Sequence, residues 1–282
     1  MIDETIEEIR EMQTHSSSVV AIKAARSLRE LLDRDHATVE DFERDLERNA
    51  SALRRANPSH ASLYNAMQGI LRNVVGRADT VAESKSLTEE IIERVVEDVD
   101  HGKSRAAENA VEMFEDGDVF LTHDYSSTVL EAVELAAAEG MDLTAYVTEA
   151  RPRFLGRKTA RTLAAIDSVE THLLVDGAVG MVLGECDRVV IGMDCIVDDT
   201  LYNRVGTFPI AATAARLDVP VVVVGSGAKL VDDGFAFENE HRSSAEVSLE
   251  PLENVEIENP AYDATPMELV DEVVTDSGVE PQ

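Results

Sequence analysis

The chain has 282 residues, 44% of them hydrophobic but only 4% aromatic and none of them tryptophan, so a large core is possible only from Ala, Val, Leu and Ile. It carries 56 acidic against 25 basic residues, a formal net charge of −31, which disfavours a broad basic face for nucleic acid and points to a cytosol with molar salt, where screening relieves the self-repulsion. No apolar run reaches the length of a membrane span, the acidic start MIDETIEEIREM is not a signal peptide, and regular apolar periodicity argues against an acidic disordered chain.

The first third predicts helices. Ile6, Ile9, Val19, Ile22, Ala25 and Leu28 recur at helical spacing over 3–34, with a break near 14–18. Thr38-Val39-Glu40-Asp41 has the form of a capping box opening a helix to about Arg55, and Asn57-Pro58 marks a boundary. Ser59 is positioned to cap a helix to Val75, and Ser86-Leu87-Thr88-Glu89 reads as a second capping box, opening a long helix toward Phe114.

At Asp116-Gly117-Asp118 the pattern changes. Short apolar runs at 119–121, 143–148, 172–175, 188–191 and 219–224 alternate with helical stretches near 126–139, 157–166, 177–184 and 206–217. Such alternation predicts an α/β fold, a parallel sheet covered on both faces, preceded by a helical domain. A short helix is expected at 267–274. Cys186 and Cys195 fit no metal spacing and read as buried thiols, and the seven histidines are scattered, so neither a metal nor a cofactor is predicted.

In a parallel sheet the C-terminal strand ends share one edge, where ligands bind. That edge collects 122–126, 148–151, Asp176-Gly177 and Asp194. Residues 189–205 read as a buried strand ending at Asp194, then an acidic turn, then Asn203-Arg204-Val205-Gly206-Thr207 leading into an Ala-rich helix. A carboxylate followed by Asn, a cation, Gly and Thr at a helix start suits an anionic ligand, because helix N-termini present free N–H groups. A plain strand–loop–helix connection with a structural cap accounts for the same segment.

Several pieces together resemble one family. They are DGDVFLTH at 116–123, TEARPRFLG at 148–156, Asp176-Gly177-Ala178, Gly192-Met193-Asp194, NRVGT at 203–207, Lys229 and NPAYDATP at 259–266. In order and spacing they resemble the alpha, beta and delta subunits of translation initiation factor 2B and their relatives, ribose-1,5-bisphosphate isomerase and methylthioribose-1-phosphate isomerase. The resemblance implies a helical domain over 1–110, a Rossmann-like domain over 111–282, and association into homodimers or larger assemblies through the latter. It also implies a cytoplasmic protein without membrane or direct nucleic-acid contacts, with a small phosphorylated ligand and an initiation-factor partner as candidates.

The isomerases of this family use a Cys and an Asp to move hydrogen between C1 and C2 of an aldose phosphate. The Asp corresponds to Asp194, but the Cys position, directly after Thr122-His123, is Asp124. Their Arg-Gly-Ala phosphate loop corresponds to His15-Ser16-Ser17, and the Arg before Pro58 is Asn57. The remaining candidate ligand-binding residues are Arg151, Arg153, Asn203, Arg204 and Lys229. These departures favour a non-catalytic subunit-like protein that associates with other subunits and senses a sugar phosphate or nucleotide. The alternative is an active sugar-phosphate isomerase using Asp124 and Asp194, since two carboxylates in different environments can divide acid and base roles.

Overall fold

The helical signals of the first third become five helices in the computed structural model, which describes residues 1–10, 17–58, 60–231, 235–250 and 252–281. They are α1 (Ile2–Arg10), α2 (Ser17–Ser27, continued by a 3-10 turn Leu28–Asp33), α3 (Val39–Ala56), α4 (Ala61–Val74) and α5 (Val81–Val111). On α3 the residues Phe42, Leu46, Ala50 and Leu53 are all buried, one apolar stripe at i, i+4 and i+3 spacing. It packs with Leu63, Met67, Ile70 and Val74 of α4, with Ala21, Ala24 and Ala25 of α2 and with Leu28 of the turn after it, in one core. The three alanines of α2 let its backbone lie close to its neighbours.

Thr38 caps α3 as expected, accepting from the Asp41 N–H at 3.2 Å. The second box lies elsewhere. Thr80 and Glu83 cap α5 reciprocally, the Thr80 N–H donating to Glu83 Oε2 at 3.2 Å and the Glu83 N–H to Thr80 Oγ1 at 3.3 Å. Ser86 is therefore already inside the helix, and Thr88 returns its hydroxyl to the Ser84 carbonyl at 2.7 Å. The same S/T-x-x-E pattern occurs twice between Thr80 and Glu89, and the upstream copy starts the helix. Ser59 lies outside the described residues, as do His15 and Ser16.

The chain divides into two compact units, residues 1–102 with 228–238, and residues 103–227 with 239–282. In the first unit the Asn65 amide ties in the 228–238 segment by donating to the Ala228 and Leu230 carbonyls at 3.0 and 2.6 Å.

The second unit carries β1 (Val119–Thr122), β2 (Leu143–Thr148), β3 (Val169–Leu174), β4 (Arg188–Gly192), β5 (Cys195–Val197), β6 (Thr200–Arg204), β7 (Val221–Val224), β8 (Tyr262–Pro266), β9 (Glu272–Thr275) and β10 (Gly278–Pro281). Its helices are α6 (Ser127–Ala138), α7 (Gly156–Leu163), the short α8 (Val179–Val182) and α9 (Thr207–Arg216). The main sheet runs β10-β9-β7-β4-β1-β2-β3, parallel except for β10. The four valines of β7 are all buried, as expected for a central strand covered on both faces. The parallel strands are ordered β3-β2-β1-β4-β7-β9, a doubly wound Rossmann-like arrangement whose winding reverses between β1 and β4.

Two local expectations are corrected. The acidic turn after Asp194 is an antiparallel hairpin, β5 and β6 joined at Asp198-Asp199, with Asp198 in the left-handed region at φ 49°. β6 pairs in turn with β8, so NPAYDATP supplies a strand of this sheet. Residues 267–274 form a 3-10 turn, Met267–Leu269, and the strand β9 instead of a helix. Met267, Val270 and Val274 fit helical spacing, yet Val273 and Val274 are consecutive and both buried, which a half-buried helix rarely requires and an inner strand does. Among the described residues no helix is long and apolar enough to cross a membrane, and no group of three His, Cys, Asp or Glu side chains could hold a metal ion.

Candidate functional site

The winding reversal leaves a crevice beyond the C-terminal ends of β1 and β4, and both predicted carboxylates are there. Asp124 follows β1 by two residues and Asp194 follows β4 by two. Arg204, the last residue of β6, brings them together, its Nε lying 3.5 Å from an Oδ of each. The guanidinium also lies over the Tyr262 ring, 4.7 Å from its centroid, where β8 pairs opposite it. Hairpin register thus places the cation: Arg204 pairs with Tyr262 and Asn203 with Asp263.

The carboxylates differ in setting. Asp124 is buried, whereas the Asp194 side chain is a third exposed. Burial pushes the Asp124 carboxyl above its ordinary range; Arg204 and His123 oppose this, and Asp194 adds to it. For Arg204, burial works against the charge, but Asp194, Tyr262 and Asp124 outweigh it and raise its pKa, so it stays cationic. Burial, reinforced by Asp194, pushes the Tyr262 hydroxyl up to about 12, so it stays protonated.

The loop after β1 is held on every side. His123 Nε2 donates to the Val205 carbonyl at 2.9 Å, since a carbonyl only accepts. Its Nδ1 is hydrogen-bonded to the Thr148 hydroxyl at 2.6 Å. Thr148 ends β2, and its carbonyl presses on Gly156, where a Cβ would fall 1.8 Å from that oxygen; α7 is seated there. Gly192 is crowded in the same way by Ser126, whose hydroxyl accepts from the Val129 N–H to cap α6.

The N-terminus of α9 is met by the chain's own carboxylate. Asp263 Oδ2 accepts from the Gly206 N–H at 2.7 Å and the Phe208 N–H at 3.0 Å. Asn203 is buried, and its amide donates to Thr207 Oγ1 at 3.1 Å while that hydroxyl donates to the Arg204 carbonyl at 2.7 Å. The anion expected at this helix start is the chain's own carboxylate, and the Asn203 side chain serves the turn.

A cleft open to solvent lies beside Asp124 and is lined by Arg151, Arg153, Arg204 and Arg242 among others. Arg151 and Arg153 are exposed; Arg151 donates to the Val247 carbonyl at 3.2 Å and lies over Phe154. Asp176 fixes this loop by accepting from the Ala150 and Arg151 N–H groups at 2.8 and 2.7 Å. Arg242 was missed by sequence reasoning because it sits in a turn-rich stretch without a motif. It is oriented by Glu246 and Glu240, and Asn259 joins it by donating to Glu246 at 3.2 Å. Lys229 falls in the first unit, in the turn Gly227–Lys229. Cys195 on β5 is buried.

Residues 13–282 match the initiation factor 2 subunit family. The chain belongs to that family. Within it, the chain is 33% identical to a ribose 1,5-bisphosphate isomerase of Haloterrigena turkmenica, over 97% of this chain and 88% of that one. It is 31% identical to a ribose 1,5-bisphosphate isomerase of Methanocaldococcus jannaschii, over 100% of this chain and 92% of that one. Among solved structures, a chain of the tetrameric eIF2B-beta2-delta2 complex from C. thermophilum superposes with a TM-score of 0.79 at 20% identity, covering 99% of this chain and 90% of that chain. That likeness concerns the fold, and the family members of known structure include oligomeric complexes.

Proposed function

We propose that the protein is an aldose–ketose isomerase acting on a small phosphorylated sugar, of the ribose-1,5-bisphosphate isomerase type. One observation carries this reading: two carboxylates of unlike environment flank a permanently charged arginine at the sheet's winding reversal, beside an arginine-lined cleft. The isomerase names of the relatives with 31–33% identity weigh on the same side. Asp124, whose carboxyl is raised by burial, and Asp194, which is more open, stand in unlike environments suited to dividing the two proton transfers. Arg204 would stabilise negative charge developing on the sugar oxygen without giving up a proton. Arg151, Arg153 and Arg242 would receive phosphate, for which a guanidinium fork is well shaped.

One observation favours the non-catalytic reading. Arg204 already contacts both carboxylates, and Asp124 stands where the isomerases that the sequence resembles carry a cysteine. In that reading the cleft binds a phosphorylated ligand without turnover. In either case we infer self-association through the second unit, where the edge strand β3 and the residue after it expose Leu173 and Val175.

The deciding assay follows ribose-1,5-bisphosphate by NMR with purified protein in molar KCl. Turnover abolished in Asp124→Asn, with substrate binding retained, supports the isomerase. Substrate binding without turnover in the wild type supports the non-catalytic reading.

A further inference from the structure

Asp124 has an unusual backbone. Its φ is +60°, the left-handed region that a residue with a Cβ seldom enters, and it is neither a loop tip nor exposed. The left-handed turn lets the chain leave β1, carry the carboxylate toward Arg204 and still reach the Ser126 cap of α6 within two residues. Something must hold that turn. The Thr159 hydroxyl, itself buried on α7, donates to the Asp124 backbone carbonyl at 2.6 Å. Helix α7 cannot slide away, because Gly156 at its start is pressed against the Thr148 carbonyl.

We propose that Thr159 is a positioning residue: its hydroxyl fixes the left-handed turn that aims the Asp124 carboxylate at Arg204. The helix that follows β2 thereby sets the geometry of a group that follows β1. This rests on the isomerase reading only where turnover is measured; the positioning itself does not require it. The side chain of Thr159 does not enter the cleft lining, so its substitution should leave phosphate contacts in place.

The test compares Thr159→Val, which keeps the shape and loses the donor, with Thr159→Ser, which keeps the donor. Two quantities are read for each: steady-state kinetics on ribose-1,5-bisphosphate, and the titration of the Asp124 carboxyl carbon by ¹³C NMR, assigned with Asp124→Asn. The groups that face Asp124 are His123 on its own loop, Arg204 from β6 and Asp194 after β4; α7 contributes Lys158, which lies over the Tyr125 ring.

Thr159→Val is expected to lower kcat by about 10- to 100-fold with KM nearly unchanged, as for a small misplacement of a reacting group. It should also shift the Asp124 titration away from the wild-type midpoint, because both its burial and its approach to Arg204 depend on the turn, with Thr159→Ser restoring both. If Thr159→Val folds with a wild-type titration and wild-type kcat, the proposal is overturned. A lowered melting temperature with both readouts unchanged also overturns it and leaves Thr159 a packing residue. If the wild type shows no turnover but the titration still moves in Thr159→Val and returns in Thr159→Ser, positioning stands and the isomerase reading falls. Should Thr159→Val not fold, Thr159→Ala with the same two readouts takes its place.

Discussion

Gly206 and His123 are in such close approach that a Cβ on Gly206 would lie 2.6 Å from the imidazole Cε1. Gly206 is also left-handed, with φ +111°. Gly206→Ala therefore incurs a backbone penalty and an overpacking penalty together, on the order of 2–4 kcal/mol. The expected fall in melting temperature is about 4–16 °C for a chain of this size. Because His123 would be pushed off the Val205 carbonyl, the change should be visible in the imidazole NMR resonances. An unchanged melting curve would show that the loop yields freely.

Asp263 gives a second test. Its carboxylate satisfies two N–H groups at the start of α9, and charge-assisted hydrogen bonds of this kind are each worth about 1.5–3 kcal/mol. Asp263→Ala should destabilise the protein by about 2 kcal/mol or more, measured by urea unfolding in chloride. Vacating the helix start should also create an anion site that the wild type lacks. Sulfate should therefore recover part of the loss in the variant beyond its general stabilising effect on the wild type; equal sulfate responses in both would count against this account.

The raised Asp124 carboxyl has a consequence for pH. A carboxyl whose folded pKa lies above the ordinary value of 3.8 binds its proton more tightly folded than unfolded. Its contribution to stability is complete below 3.8 and is lost as pH rises through the folded value. Asp124→Asn removes that loss, so the variant should melt above the wild type at neutral pH, and the two should converge below the ordinary carboxylate range. Thermal scans from pH 3 to 8 check the sign; a variant that melts lower than the wild type at pH 7 would mean that Arg204 outweighs burial.

A net charge of −31 predicts stability that rises with KCl into the molar range, where the Debye length shrinks to about 3 Å. Melting temperature against KCl concentration measures it. A steady fall with salt would refute the high-salt reading.

Much of this fold could be read from hydrophobic period. The runs that became β1, β2 and β4 were placed within one residue, because each is a short, largely apolar run bounded by turn signals. Where the reading failed, pairing partners decided the outcome. Residues 267–274 suit helical spacing alone, and only alignment beside β7 makes Glu272–Thr275 a strand. Asp124 and Asp194 were legible because both follow strand ends. Arg242 and Thr159 were not, since one lies in an irregular stretch and the other acts on a backbone carbonyl 35 residues away. The α9 start shows the reverse error: its donors were visible in the sequence, but the carboxylate that occupies them arrives from residue 263, on a strand set beside it only by folding.

Gly156 bears on how such a site would be read by saturation mutagenesis. A Cβ there would fall 1.8 Å from the Thr148 carbonyl oxygen, a backbone atom that cannot swing aside, so every substitution in a library should be depleted. On the isomerase reading its fitness profile would look like that of Asp124, although it carries no functional group. Scored by activity alone, the two positions would be indistinguishable. Scored also by abundance of folded protein, they separate, because variants at Gly156 disappear from both measures while Asp124→Asn persists in one.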